Sequence, residues 1–235
     1  MQNVEPNPVQ SPLHYLLSRA KPLTLLAAGL LCGFAASGAL YPPNALGTYR
    51  PDAATWLQLA LFAGLIHALL FLAIRCIDDI VDLDSDREKG RWSSSIDPRR
   101  SLYPLAAIFT LAALALAVSQ SPWAALACAI SLALLSLPRL PAILKLPIAT
   151  AASTAIAILL ADAHYAKPLE ELLQGTSAAA DWRSIILYAA WLLASLVSLQ
   201  MIKGRREGAP KWLPGLFGLF IASSGLLLAG LPWIR

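Results

Sequence analysis

The chain has 235 residues, of which 57% are hydrophobic and only 14% charged, and its net charge is +4. A soluble domain carries about 25% charged residues, and here the charges are segregated, so the composition excludes an ordinary soluble enzyme and points to a polytopic membrane protein folded as one unit over residues 1–235. Cys32, Cys76 and Cys128 all fall in or beside apolar segments, a pattern that suggests neither a disulfide framework nor a zinc site.

The opening twenty residues are polar and proline-bearing. They lack the charged start and short apolar core of a cleavable signal. Seven apolar segments follow, each bounded by charge, Pro or Gly, near 23–41, 53–77, 102–119, 122–137, 146–161, 185–202 and 213–233. The pattern predicts an all-α transmembrane helical bundle of about seven spans. The fourth and fifth segments are short, with Pro138, Pro141 and Pro147 read as interruptions between them, which predicts tilted, kinked or partly re-entrant helices. Residues 163–183 predict a short amphipathic element. Trp92, Trp182, Trp212 and Trp233 sit near span ends, as interfacial anchors do. Gly215, Gly218 and Gly225 of the seventh segment are expected at close helix contacts.

Lys and Arg set the orientation. Arg19 and Lys21 precede the first span. Arg75, Arg87, Lys89, Arg91, Arg99 and Arg100 lie between the second and third, Arg139 and Lys145 between the fourth and fifth, and Lys203, Arg205, Arg206 and Lys211 between the sixth and seventh. With seven spans all these loops share one side. This predicts a cytoplasmic N-terminus, an outer C-terminus and a bacterial inner-membrane location. The basic residues report topology and attraction to anionic lipid, not nucleic-acid binding.

One stretch departs from simple topology. Arg75-Cys-Ile-Asp-Asp-Ile-Val-Asp-Leu-Asp-Ser-Asp-Arg87 places five carboxylates within nine residues at the end of the second span. On a continuous helix Asp78, Asp82 and Asp86 share nearly one face, Asp79 lies about 100° from Asp78, and Asp84 falls off the face. Two like charges at 4 Å cost about 1 kcal/mol in water and about 4 at a protein surface. A hard cation held by oxygen ligands relieves that repulsion, which points to Mg2+, an ion that keeps positions for phosphate oxygens. Asp78, Asp79, Asp82 and Asp86 are the candidate metal ligands. The adjacent basic residues are candidates for the phosphate oxygens the metal leaves free. His67, Phe71, Arg75 and Asp79 form a stripe at four-residue steps, and the sequence favours a satisfied core role for His67. Ser198 and Gln200 of the sixth segment either line the same cavity or bond between helices.

Asp78-Asp79-Ile-Val-Asp82-Leu-Asp-Ser-Asp86 resembles the first signature, N-D-x-x-D-x-x-x-D, of the UbiA superfamily of intramembrane prenyltransferases. Asp78 stands where that family usually has Asn. Arg75 fits a basic residue often found ahead of the signature, and Arg87-Glu-Lys-Gly-Arg-Trp-Ser-Ser-Ser resembles the arginine-rich stretch after it. Leu137-Pro138-Arg139 resembles a Y-P-x-x-K-R corner with the Tyr replaced and the basic residue displaced. Leu17-Ser-Arg19-Ala-Lys-Pro22 resembles the R-P start of the first helix. The resemblance implies a helical bundle, usually of nine spans, that binds Mg2+ and a polyprenyl diphosphate and transfers the prenyl group to an aromatic or other acceptor. It implies catalytic roles for Asp79, Asp82 and Arg75, and substrate contacts from Arg75, Lys89, Arg91, Arg139, Lys203 and Gln200.

The sequence also departs from that family. The second aspartate motif expected after the sixth span is replaced by Lys203-Gly204-Arg205-Arg206-Glu207-Gly208-Ala-Pro-Lys211, and the chain has seven apolar segments. A second Mg2+ lacks its ligands, and Lys203, Arg205 and Arg206 are candidates to replace its charge. Two readings follow. One is a Mg2+-dependent prenyltransferase. The other is a non-catalytic relative that binds a prenyl lipid or a metal, or scaffolds a partner. An apolar flank left by absent helices would suit a homo-oligomer contact.

Overall fold

The structure is a computed structural model that describes residues 22–40, 52–88, 99–137, 142–164, 182–204 and 213–234. Helix α1 spans Pro22–Ala39, α2 Ala53–Val81, α3 Leu83–Glu88, α4 Arg99–Gln120, α5 Pro122–Leu135, α6 Ala142–His164, α7 Trp182–Gly204 and α8 Leu213–Ile234. No strand occurs among the described residues. Among the described residues four helices are long and apolar enough to cross a membrane: Pro22–Ala39, Ala53–Val81, Leu102–Gln120 and Leu144–Ala161. Pro122–Leu135, Arg183–Ser198 and Gly215–Gly230 are apolar but shorter. The chain is an α-helical membrane protein.

Local chemistry sets the helix ends. Asp52 caps α2, its carboxylate accepting from the Ala54 amide at 3.1 Å and from the Thr55 hydroxyl at 2.5 Å. These bonds, the hydroxyl first, hold the Asp52 carboxyl below the usual carboxylate range. The cap is therefore intact above the unfolded carboxylate range and is lost as pH falls through the depressed folded value. Ser121 separates α4 from α5: its hydroxyl accepts from the Ala124 amide at 3.3 Å, and Pro122 takes the first helical position, where no amide is needed. Pro147 lies inside α6 instead of between two segments. It is the sixth residue of the helix, so its missing N–H removes one bond near the start and does not end the element. The other two prolines of that corner, Pro138 and Pro141, lie outside the described residues, as do 165–181, Trp92 and Trp212.

Helices α1 and α2 form the most extensive contact in the bundle, and their approach is backbone on backbone. A Cβ on Gly29 would collide with the Ala68 backbone, and one on Gly33 with the Ala60 carbonyl and the Gly64 amide. From the other side, a Cβ on Gly64 would lie 2.9 Å from the Leu30 Cα. Gly38 meets α8 in the same way at Leu228 and Ala229. Small residues allow this approach where lipid supplies no hydrophobic drive between helices. The close-packed glycines are thus mainly those of α1 and α2. Gly225 packs, with a Cβ there 2.7 Å from Leu31 Cδ1, but Gly215 and Gly218 have nothing within 4 Å. The reason is that α8 packs mainly on α1 and α7 among the described residues.

A central core joins seven helices through α1 Ala35, α2 Ile66, α4 Ala113, α5 Cys128, α6 Ile156, α7 Tyr188 and α8 Leu228. The Tyr188 hydroxyl donates to the Cys32 carbonyl at 3.3 Å, tying α7 to α1, and the Trp191 indole donates to Ser224 at 3.0 Å, tying α7 to α8. A second core lies at one end of the bundle: Leu72 and Cys76 of α2, Leu83 of α3, and Leu102, Leu105 and Ala106 of α4. It holds the turn between α2 and α3 against the start of α4.

Two substitutions test this packing. Gly33→Leu must separate two backbones and should cost about 3 kcal/mol or more, read as a lowered thermal midpoint of the purified protein in detergent. Gly218→Ala meets open space and should leave the midpoint unchanged or raise it slightly, since Ala is the better helix former by about 1 kcal/mol.

Candidate functional site

Helix α2 has 29 residues, about 43 Å at 1.5 Å per residue against a hydrocarbon core of ~30 Å. The helix is longer than that core, and its last turn carries Asp78 and Asp79. The helix stops at Asp82, whose amide bonds to the Asp78 carbonyl at 2.9 Å. Leu83, almost fully buried, then starts α3. The face expected to run unbroken from Asp78 to Asp86 is divided at this point. Asp86 belongs to α3, and its side chain lies outside the described residues.

Carboxylates in the last turn of a helix face the negative end of its dipole, so Asp78 and Asp79 need cations nearby. The structure supplies them from two directions. Arg75, one turn back on α2, meets Asp79 at 3.1 Å, with Asp79 8% exposed and Arg75 34%. Lys145, from the first turn of α6, reaches Asp78 at 3.4 Å. Arg99, at the start of α4, bonds the exposed Asp84 at 2.8 Å, bringing α4 onto α3. Asp82 is exposed.

The expected stripe on α2 is present. His67 is fully buried, its Nδ1–H donating to the Ala63 carbonyl at 2.7 Å, and its ring meets Phe71 edge-on at 6.1 Å. The ring also lies against the Ser153 backbone of α6, while Nε2 makes no hydrogen bond within the described residues. Twelve residues separate His67 from Asp79, about 18 Å along the axis. This distance and the ring's burial match a packed core residue. Ser198 is buried and donates to the Ala194 carbonyl of its own helix. Lys203 and Gln200 belong to α7, with side chains outside the described residues. Lys89, Arg91, Arg139, Arg205, Arg206 and Lys211 lie outside the described residues altogether.

Among the described residues no group of three or more His, Cys, Asp or Glu side chains is placed to hold a metal. The donors that are placed, Asp78, Asp79 and Asp82, offer oxygen alone, as a hard cation requires. Mg2+ usually takes one or two carboxylates and completes its shell with substrate phosphates and water. Among the described residues these carboxylates form no metal cage, and one or two of them would serve Mg2+ only alongside phosphate and water oxygens. Lys145 is the partner that sequence reading passed over. The signal for it was its position in the loop expected on the same side as the aspartate motif. No family model matches this chain, and no curated protein and no solved structure is significantly similar to it.

The pairs differ in burial, and so in strength. Arg75→Ala removes the guanidinium 3.1 Å from the nearly buried Asp79 at the negative end of α2. It should destabilise the protein more than Asp79→Asn does, by about 1 kcal/mol after allowing for water at Arg75. A double-mutant cycle on Arg99 and Asp84 should give a coupling below about 0.5 kcal/mol that vanishes in high salt. Thermal midpoints at low and high ionic strength check both.

Proposed function

We propose that the Asp78–Asp82 end of α2 binds the diphosphate of a polyprenyl donor together with Mg2+, and that the protein transfers the prenyl group to an aromatic or other acceptor. The observation that carries this reading is the pairing of Asp78 with Lys145 and of Asp79 with Arg75 at the end of a membrane-length apolar helix. A metal–diphosphate ligand needs carboxylates for the metal and Lys or Arg for the outer phosphate oxygens. Both charge classes meet here at the edge of the apolar layer, where a ligand with an apolar tail and an anionic head partitions. The motif's resemblance to the first signature of the UbiA superfamily supports the same reading.

Mg2+, when bound, neutralises the leaving diphosphate. The chain's own residues supply the rest. Asp78, Asp79 and Asp82 would hold the cation, with Asp86 as the fourth candidate ligand. Arg75 and Lys145, released from their carboxylates, donate to phosphate oxygens and stabilise the charge that grows as the allylic carbon–oxygen bond breaks. Arg75, Asp79 and Asp82 carry catalysis, and Lys89, Arg91, Arg139, Lys203 and Gln200 are the remaining substrate contacts. Leu72, Cys76, Leu83 and Leu102 keep the apolar side of the site dry. In this reading the bundle crosses the bacterial inner membrane seven times, with the motif on the cytoplasmic side.

The ion pairs also favour a second reading, in which the acids are permanently neutralised and the protein is a non-catalytic relative. Asp79→Asn and Asp82→Asn separate the two. Mg2+-dependent binding of a prenyl diphosphate to purified protein should weaken at least tenfold, about 1.4 kcal/mol, in each variant, with turnover abolished and the folded state retained. Binding that is indifferent to Mg2+ and to Asp82 would contradict the enzyme reading and leave the second.

A further inference from the structure

A hydroxyl inside a helical bundle can satisfy itself on its own backbone. Ser131, Thr150, Ser195 and Ser198 do so here, each donating to the carbonyl four residues back. Thr154 of α6 does not. It is 6% exposed, and its hydroxyl has no partner among the described residues. A second buried polar atom in the same condition is Nε2 of His67, on α2, a residue with no exposed surface. The His67 ring lies against the backbone of Ser153, the neighbour of Thr154 on α6. Two unsatisfied polar groups thus come to the same level of the α2–α6 contact.

Their hydrogen-bonding roles are fixed by chemistry. His67 Nδ1–H donates at 2.7 Å to the Ala63 carbonyl, a group that can only accept. Charge is expensive inside a membrane bundle, and the neutral ring carries one N–H, so Nε2 is an acceptor. The Thr154 hydroxyl can donate, and the Ser153 carbonyl has a second lone pair beyond its helical bond. A water that donates to Nε2 and to that carbonyl, and accepts from Thr154, makes about three bonds, the usual number for a buried water. The contact also shares a seam with the Asp78 end of α2. Asp78 lies about 16 Å beyond His67 along α2, and Lys145 about 12 Å before Ser153 along α6. The two helices therefore run antiparallel here, and the long Lys145 side chain spans the difference to meet Asp78 at 3.4 Å.

We infer that His67 and Thr154 bind a single internal water that latches α2 to α6 and holds α6 where Lys145 reaches Asp78. The two side chains do not bond each other, and Thr154 does not bond its own helix. The link between them needs a third group that both donates and accepts, and water is the smallest such group. The latch makes His67 and Thr154 positioning residues for Lys145. It holds α6 in place whichever ligand the Asp78 end takes, so it stands apart from the function proposed above.

The test is nuclear magnetic resonance of the full-length protein in lipid bilayers, with isotope-labelled histidine. His67→Phe, which keeps a ring against Phe71, identifies the His67 signals. In wild type the ring should carry its proton on Nδ1, with Nε2 bare and hydrogen-bonded, and should receive magnetisation directly from water. Thr154→Val, of nearly the same shape, should lose most of that transfer, and Thr154→Ser should keep it. Thermal midpoints give a second readout. Thr154→Val and His67→Phe should each lower the midpoint by about 2–4 °C, and the double variant should fall no further than the worse single, since both remove one shared bridge. Lys145→Ala should cost less in the Thr154→Val background than in wild type. A proton on Nε2, no transfer from water in wild type, or transfer unchanged by Thr154→Val would each overturn the water site. Water transfer with strictly additive midpoint losses, or an equal cost of Lys145→Ala in both backgrounds, would overturn the latch. Should Thr154→Val fold poorly, the tautomer and water transfer of wild type and Thr154→Ser decide the water site alone.

Discussion

The backbone contact of α1 with α2 at Gly29, Gly33 and Gly64 positions everything else in the bundle. Inside a bilayer, helices gain nothing by hiding apolar side chains from an apolar solvent, so they associate through close van der Waals packing. Glycine permits the closest approach of all, and here it brings two backbones together without intervening side chains. With α2 held in this way, α4 packs along it, and α6 brings Lys145 to its end. The direction and depth of α2 in turn decide where its last turn emerges.

That last turn sets an electrostatic problem. Asp78 and Asp79 add charge to a helix end that is already negative, at the margin of a low-dielectric layer where charges interact strongly. The chain answers with Arg75 from the same helix and Lys145 from a helix 67 residues away. Arg75 and Asp79 alone would be an ordinary helical ion pair. The arrival of Lys145 from α6 makes the end of α2 a junction, where a cation and a carboxylate from different helices meet.

Much of this was legible in the sequence because it is local. Hydropathy located the helices, Ser121-Pro122 marked the α4–α5 boundary, and the clustered aspartates marked the end of α2. The break at Asp82 was not legible. Helical spacing from Asp78 to Asp86 is unbroken in the sequence, and the chain turns there because Leu83 is drawn into the core formed by Cys76 and Leu102, residues whose contact is tertiary. The Lys145–Asp78 pair was hidden for the same reason: two residues 67 apart reveal nothing of each other until the helices pack. Gly29-x-x-x-Gly33 was the visible signal of close packing that the glycines of α8 overshadowed. From sequence alone, nothing distinguishes a glycine facing a neighbour from one facing lipid.

The central claim is that the acids at the end of α2 serve a metal and a diphosphate beyond holding helices together. Reversing one ion pair tests it most directly. Asp78→Lys combined with Lys145→Asp keeps an attraction between α2 and α6 but moves the carboxylate from α2 to α6. The measurement is Mg2+-dependent prenyl diphosphate binding by the double variant, alongside its thermal midpoint. The account predicts a midpoint restored to near wild type, above either single variant, with binding still lost. Binding restored together with stability would mean that the pair is structural, and would contradict the claim.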